Sequence, residues 1–314
     1  MKKYLLRQIF AVLPILLGVT LLTFCLLHFS AEDAADMLYR QHGAVSEAVK
    51  AQTRAELGLD RPLYEQYFTW LLNLLSGNAG ASYISGVSVS SLFLDRLPTT
   101  LLLAAASLFT ALCISLPAGF YCALKHNKKA DYLLQLLSFA GSSVPGFLLA
   151  LLLIYFFSVR LQTAAVLNSS DSITAFILPT ITLAVPVAAK YTRYIRSEVL
   201  REMQQPYVYG ALLRGMPRNI ILQRYILHSI GLNMITVIAM SAGSLLGGTA
   251  IVESIFMLDG IGRLTIEAIT MKDYPVLQAC IIWSTLIFIL LNLAAELLCS
   301  LLDPRNRISV QERL

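Results

Sequence analysis

The chain has 314 residues, of which 57% are hydrophobic and only 14% charged, with a formal net charge of +5. Soluble domains carry about 25% charged residues, so this composition excludes an ordinary water-soluble globule and makes a bilayer the natural solvent. No Pro-, Ser- or Gln-rich linker and no internal repeat interrupts it.

A membrane-crossing helix needs about 20 mostly apolar residues, and six stretches qualify: 9–29, 99–124, 132–159, 177–194, 231–256 and 277–302. The first is too long for the apolar core of a signal peptide and no small-x-small cleavage site follows it, so it is expected to stay as a spanning helix. In the segment after it, Ser46 is placed to cap a short helix that Gly58 ends. Pro62 then opens a second one. There Leu63, Tyr67, Trp70, Leu71 and Leu74 fall on one helical face, which predicts a helix at the membrane surface with Trp70 at headgroup depth. Pro145 and Pro186 lie inside the third and fourth spans, where they free backbone carbonyls and predict kinks.

Lys and Arg placement sets the orientation. With both termini inside, sixteen of the 24 fall on the cytoplasmic side, among them Lys2, Lys3, Arg7, Lys125, Lys128, Lys129 and the run from Lys190 to Arg224. Most of the outer ones lie in one long loop. The net charge is therefore a topological signal and not a nucleic-acid footprint.

Several chemistries are absent. There is no Gly-x-x-x-x-Gly-Lys phosphate loop, no His-Glu-x-x-His and no Gly-x-Ser-x-Gly, so no bond chemistry and no ATP hydrolysis are expected of the chain. Cys25, Cys113, Cys122, Cys280 and Cys299 sit in or beside apolar segments without a CxxC pair and read as buried small side chains. His28, His42, His126 and His228 are scattered, so neither a metal site nor a cofactor is expected. Glu253 and Glu296 are the acidic residues placed at membrane depth, where such groups face a pathway or a partner. Gly243 and Gly247 form a small-xxx-small face, with Gly248 beside it, suited to close helix contact.

The loop 195–230 is basic and, at about 36 residues, far longer than a turn between spans requires. Its Tyr209-Gly210-Ala211-Leu212-Leu213-Arg214-Gly215 run reads as a short helix. Gly210 and Ala211 would let it approach another surface closely, and Gly215 would end it in a left-handed conformation. A solvated basic loop that merely enforces topology fits the local pattern equally well.

That run resembles the coupling ("EAA") loop of ABC importer permeases, whose pattern is Glu-Ala-Ala, three residues, Gly. Tyr209 stands where Glu is usual and Gly210 where the first Ala is, while Ala211 and Gly215 match. Further motifs resemble the peptide/nickel permease family. They are Leu57-Gly58-Leu59-Asp60-Arg61-Pro62-Leu63, Gly77-Asn78-Ala79-Gly80 with Asn78 for Asp, and Leu97-Pro98-Thr99-Thr100-Leu101. Later come Gly247-Gly248, Glu253-Ser254-Ile255-Phe256, Gly260-Ile261-Gly262 with Asp259 for the preceding Pro, Asp273-Tyr274-Pro275-Val276 and Asp303-Pro304-Arg305.

The resemblance implies an all-α, six-span type I ABC importer permease in a bacterial plasma membrane. It divides into an N-terminal transmembrane helix (1–30), an extracytoplasmic amphipathic segment (31–94), a permease domain (95–303) and a cytoplasmic tail (304–314). It implies as partners a second homologous permease subunit, two cytoplasmic ATPase subunits and an extracytoplasmic solute-binding protein, besides lipid. Tyr209, Gly210, Ala211 and Gly215 would couple to the ATPase, and Pro145, Gly247, Gly248 and Glu253 are candidates for the pathway or its gate. The compact outer loop between spans three and four, about 17 residues, favours nickel over dipeptides or oligopeptides as cargo. A secondary transporter or channel, the rival of a different class, would carry several charged groups inside its spans and would leave the long inner loop unexplained.

Overall fold

The computed structural model describes residues 2–28, 46–56, 60–161 and 173–302. The features predicted at His42, at Leu57-Gly58-Leu59, in 162–172 of the loop between spans three and four, and at Asp303-Pro304-Arg305 with the tail lie outside them. Eleven α-helices are named among the described residues, in chain order: α1 (Lys2–His28), α2 (Glu47–Glu56), α3 (Leu63–Leu75), α4 (Val89–Leu124), α5 (Lys129–Ser143), α6 (Gly146–Ile154), α7 (Ile173–Met203), α8 (Pro206–Leu213), α9 (Leu227–Ile255), α10 (Ile261–Met271) and α11 (Tyr274–Leu302). A π-helical turn, Tyr155–Arg160, extends α6. A short turn, Arg218–Ile220, and a second π turn, Ile221–Ile226, lead into α9. The β structure described is one isolated antiparallel bridge, Ala81 to Ser88.

Four helices are long and apolar enough to cross a membrane alone: Val89–Leu124, Ala175–Met203, Asn233–Ile255 and Tyr274–Leu298. The predicted third span is not one helix. Lys129–Ser143 and Gly146–Arg160 meet at 96°, and Pro145 is the cause. It has no N–H to continue the ladder and drives the residue before it out of the α region; Val144 accordingly sits at ψ 123. Each half, at about 1.5 Å per residue, is shorter than a hydrocarbon core of about 30 Å. Pro186, by contrast, lies inside the unbroken α7. The first predicted span is a 27-residue helix, whose described apolar part is Val12–Cys25. The described helices thus give four spans, or five if the bent pair is one, against the six expected.

The chain forms two compact units, one of residues 1–100 and 259–289 and the other of 101–258 and 290–314. In the first, α1 and α3 pack through Tyr67 and Trp70, whose rings lie 5.4 and 5.9 Å from that of Phe24. The Thr20 and Tyr67 hydroxyls are 2.9 Å apart. Tyr67 and Trp70 of the face predicted to meet lipid are therefore turned onto α1, while Leu63 of that face is exposed together with Tyr64, Phe68, Leu72 and Leu75. Helix α3 is apolar on both sides, and ring pairing with Phe24 selects the side that turns inward. The rest of this core holds Val89, Phe93, Leu264, Ala268, Val276 and Cys280, with Phe93 edge-on to Trp283 at 4.7 Å.

In the second unit α7 is the element the others pack against. A Cβ on Gly119 of α4 would stand 2.7 Å from the Cβ of Ile195, and one on Gly141 of α5 would stand 3.4 Å from that of Ala189. Ala111, Ala184 and Ala188 keep the α4–α7 contact close. Small residues of this kind bring helix backbones together where lipid offers no hydrophobic drive.

Candidate functional site

The 204–230 loop builds one compact feature. Pro206 opens α8 in its first turn, where its missing N–H leaves no gap. Val208 and Ala211, three residues apart on one face, are both buried in a cluster with Ala123 of α4, Tyr191, Ile195 and Val199 of α7, and Ile221, Ile226, Ile230 and Met234. Gly215 closes the helix at φ +74. Its N–H donates to Leu212 O at 2.9 Å, and that of Met216 to Ala211 O at 3.2 Å. This is the Schellman pair that satisfies the last free carbonyls, with Met216 packing back on the same cluster. The π turn then brings Ile221 and Ile226, five residues apart, onto the same core, which α-helical spacing would not do.

The candidate residues part company here. Tyr209 is 57% exposed, whereas Ala211 is only 5% exposed and faces the chain's own core. The sequence pattern predicts Gly210 and Ala211 together against a partner, but pairing with Val208 at i, i+3 turns Ala211 inward. Gly210 is half-buried, and its carbonyl accepts from Arg214 Nε at 3.1 Å. Besides Tyr209, the outward surface belongs to residues the motif does not mark. Leu213 is 89% exposed, and Tyr207, Leu212 and Tyr225 are also open, with the two tyrosine rings 6.4 Å apart. A legible signal existed: a helix of eight residues with apolar groups on both faces cannot bury both.

The pathway candidates are not on one face. Pro145 is exposed at the break between α5 and α6. Gly247 and Gly248 of α9 are exposed, and a Cβ added at either meets nothing within 4 Å. Gly243, one turn earlier, is buried. Glu253, in the last turns of α9, is fully buried, while Glu296 of α11 is exposed.

Two polar contacts near the loop went unmarked. Asp131, fully buried at the start of α5, accepts from Arg196 Nε at 2.7 Å and Arg196 Nη2 at 2.8 Å. It also accepts from Gln135 Nε2 at 2.9 Å and the Asn127 N–H at 3.1 Å. Glu198, one helical side away on α7, accepts from Asn233 Nδ2 of α9 at 3.1 Å and pairs with Arg201. No cluster of three or more His, Cys, Asp or Glu able to hold a metal ion occurs among the described residues.

Comparison with known proteins accounts for this architecture. Residues 115–308 match the family "Binding-protein-dependent transport system inner membrane component", and residues 1–104 match the N-terminal family that accompanies it. The chain is 35% identical to the oligopeptide transport system permease protein AppB of Bacillus subtilis (strain 168), over 97% of this chain and 99% of that one. It is 32% identical to the nickel import system permease protein NikB of Staphylococcus aureus (strain USA300), over 98% and 93%. Two inward-facing crystal forms of the MetNI methionine ABC transporter share its fold, at TM-score 0.55 and 16% and 15% identity, covering 68% of this chain and 96% of theirs. The chain belongs to the binding-protein-dependent inner-membrane permeases and is an ABC importer permease of the peptide/nickel family with the type I fold.

Proposed function

We propose that this subunit carries nickel, as a chelate, across the bacterial plasma membrane by alternating access, and that α8 is the element an ATPase pulls on. The observation that carries the coupling reading is the exposure of Leu213, Leu212, Tyr207 and Tyr209 on a helix whose other face is anchored in the core. Exposed apolar surface on a rigid support is what a docking site needs. In this reading two cytoplasmic ATPase subunits receive α8. A second homologous permease packs on the open Gly247–Gly248 face of α9, and a solute-binding protein delivers cargo. The chain crosses the membrane six times, α1 and the bent α5–α6 pair each contributing one crossing, with both termini cytoplasmic. Its short loop between spans three and four and its similarity to NikB support nickel. Its similarity to AppB supports a second reading, short peptides.

Cells lacking the chain and then restored with it separate the two cargoes. Radiolabelled Ni²⁺ uptake in the presence of a chelating amino acid should return with the gene, and labelled trialanine uptake should not; the opposite result establishes the peptide reading. Orientation is tested by single cysteines at Asn127 and Ser85 in a cysteine-free background. An impermeant thiol reagent added outside should label position 85 and spare 127, and the reverse would overturn the topology.

A further inference from the structure

We propose that Asp131 and Arg196 form a positioning clamp that makes the inner turn 125–128 and the coupling helix α8 move as one body. The proposal rests on the coupling reading of α8. Residues 195–199 of α7 carry it. Ile195 and Val199, one turn apart on one face, lie in the cluster that holds Val208 and Ala211 of α8. Arg196 points to α5 and Glu198 to α9. One turn of helix is thus fastened on three sides; its apolar side packs on the coupling helix, and one turn further on Glu202 accepts from the Tyr207 hydroxyl of α8.

The Arg196 side has the geometry of a rigid joint. Its guanidinium grips both carboxylate oxygens, a fork that fixes direction as well as distance. With Gln135 and the Asn127 N–H as further donors, four bonds fill the acceptor sites of a carboxylate that water does not reach. Arg196 Nη2 also lies 3.0 Å from His126 Nδ1. Asn127 holds a left-handed φ of +60, so the bond to its N–H shapes the turn between α4 and α5. The carboxylate thus adds a directed tie from the turn to α7, beside the apolar contact that Ala123 of α4 makes with the same cluster.

Stability alone is a poor reason to keep such a pair. Apolar residues of similar volume often stabilise a buried site as well or better, whereas removal of one partner leaves a buried charge. What apolar packing does not supply is a single fixed direction between two elements, and that is the property a lever requires.

The test uses the whole complex, purified through a tag on this chain and placed in proteoliposomes. The double variant Asp131→Leu/Arg196→Met removes the clamp and leaves no buried charge. It should assemble in normal yield and hydrolyse ATP, while labelled Ni²⁺ or trialanine moved per ATP falls about 2- to 30-fold, the range over which residues outside both sites alter coupling. Arg196→Lys, which keeps the charge but not the fork, should fall between it and wild type. A double variant with wild-type cargo per ATP overturns the clamp, and so does one that loses only assembly or yield. The underlying reading fails separately: Leu213→Asp with normal ATPase association would remove α8 as the coupling element whatever the clamp variants do.

Discussion

The turn 76–89 and the loop 204–230 each lead into a long helix, and both use left-handed glycine, yet they treat their side chains in opposite ways. In the turn, Gly77, Gly80 and Gly86 have positive φ, and the polar groups close on the chain itself. Ser82 Oγ donates to Asp273 Oδ2 at 2.5 Å, and the Tyr83 N–H donates to Asp273 Oδ1 at 3.2 Å. Asp273 is held there by the left-handed Lys272 that ends α10, its own N–H donating to Ala268 O at 2.8 Å. In the loop, one apolar face is buried and a second, with Leu213 at its tip, is left open. The turn satisfies itself and the loop leaves an apolar face open, which is why we propose the loop as half of an interface.

The largest effect that sharpens this contrast is expected from Ala211→Glu. It places a charge in the cluster beneath α8, at a loss of at least about 3 kcal/mol, so this chain itself should melt earlier in detergent and uptake should vanish. A variant with unchanged melting would mean that Ala211 faces outward after all. Asp273→Ala should act more weakly and elsewhere. It leaves the Ser82 hydroxyl and the Tyr83 N–H without their charged acceptor, about 1.5–3 kcal/mol for such a bond. Protease nicking within 76–89 should rise while ATPase co-purification stays normal; loss of that co-purification would break the separation between the two regions.

Much of the fold was legible because hydrophobic run length and helix-stop residues act locally. The placement of the long helices and the left-handed end at Gly215 follow from such signals. What the sequence hid depends on tertiary choice. Pro145 and Pro186 look alike in sequence, but one breaks its helix by 96° and the other sits inside an unbroken one. Helix α3 offers two apolar faces, and tertiary partners choose between them: Phe24 and Thr20 of α1, and the Val89–Phe93 cluster that receives Leu74. At the candidate site the motif marked Ala211, whose small side chain serves the chain's own core, and passed over Leu213. The bond between Asp131 and Arg196 joins residues 65 apart, a separation that no local pattern reports.

The central claim, that α8 presents an unfinished interface to an ATPase, is tested most directly by Leu213→Asp. Leu213 is 89% exposed, so the substitution leaves this chain's own packing intact, and its amount in the membrane and its melting should match wild type. ATPase recovered with the tagged chain should fall about 30-fold or more, as for an interface anchor contributing 2 kcal/mol or above, and uptake should fall with it. Wild-type ATPase recovery together with wild-type uptake in Leu213→Asp would contradict the claim.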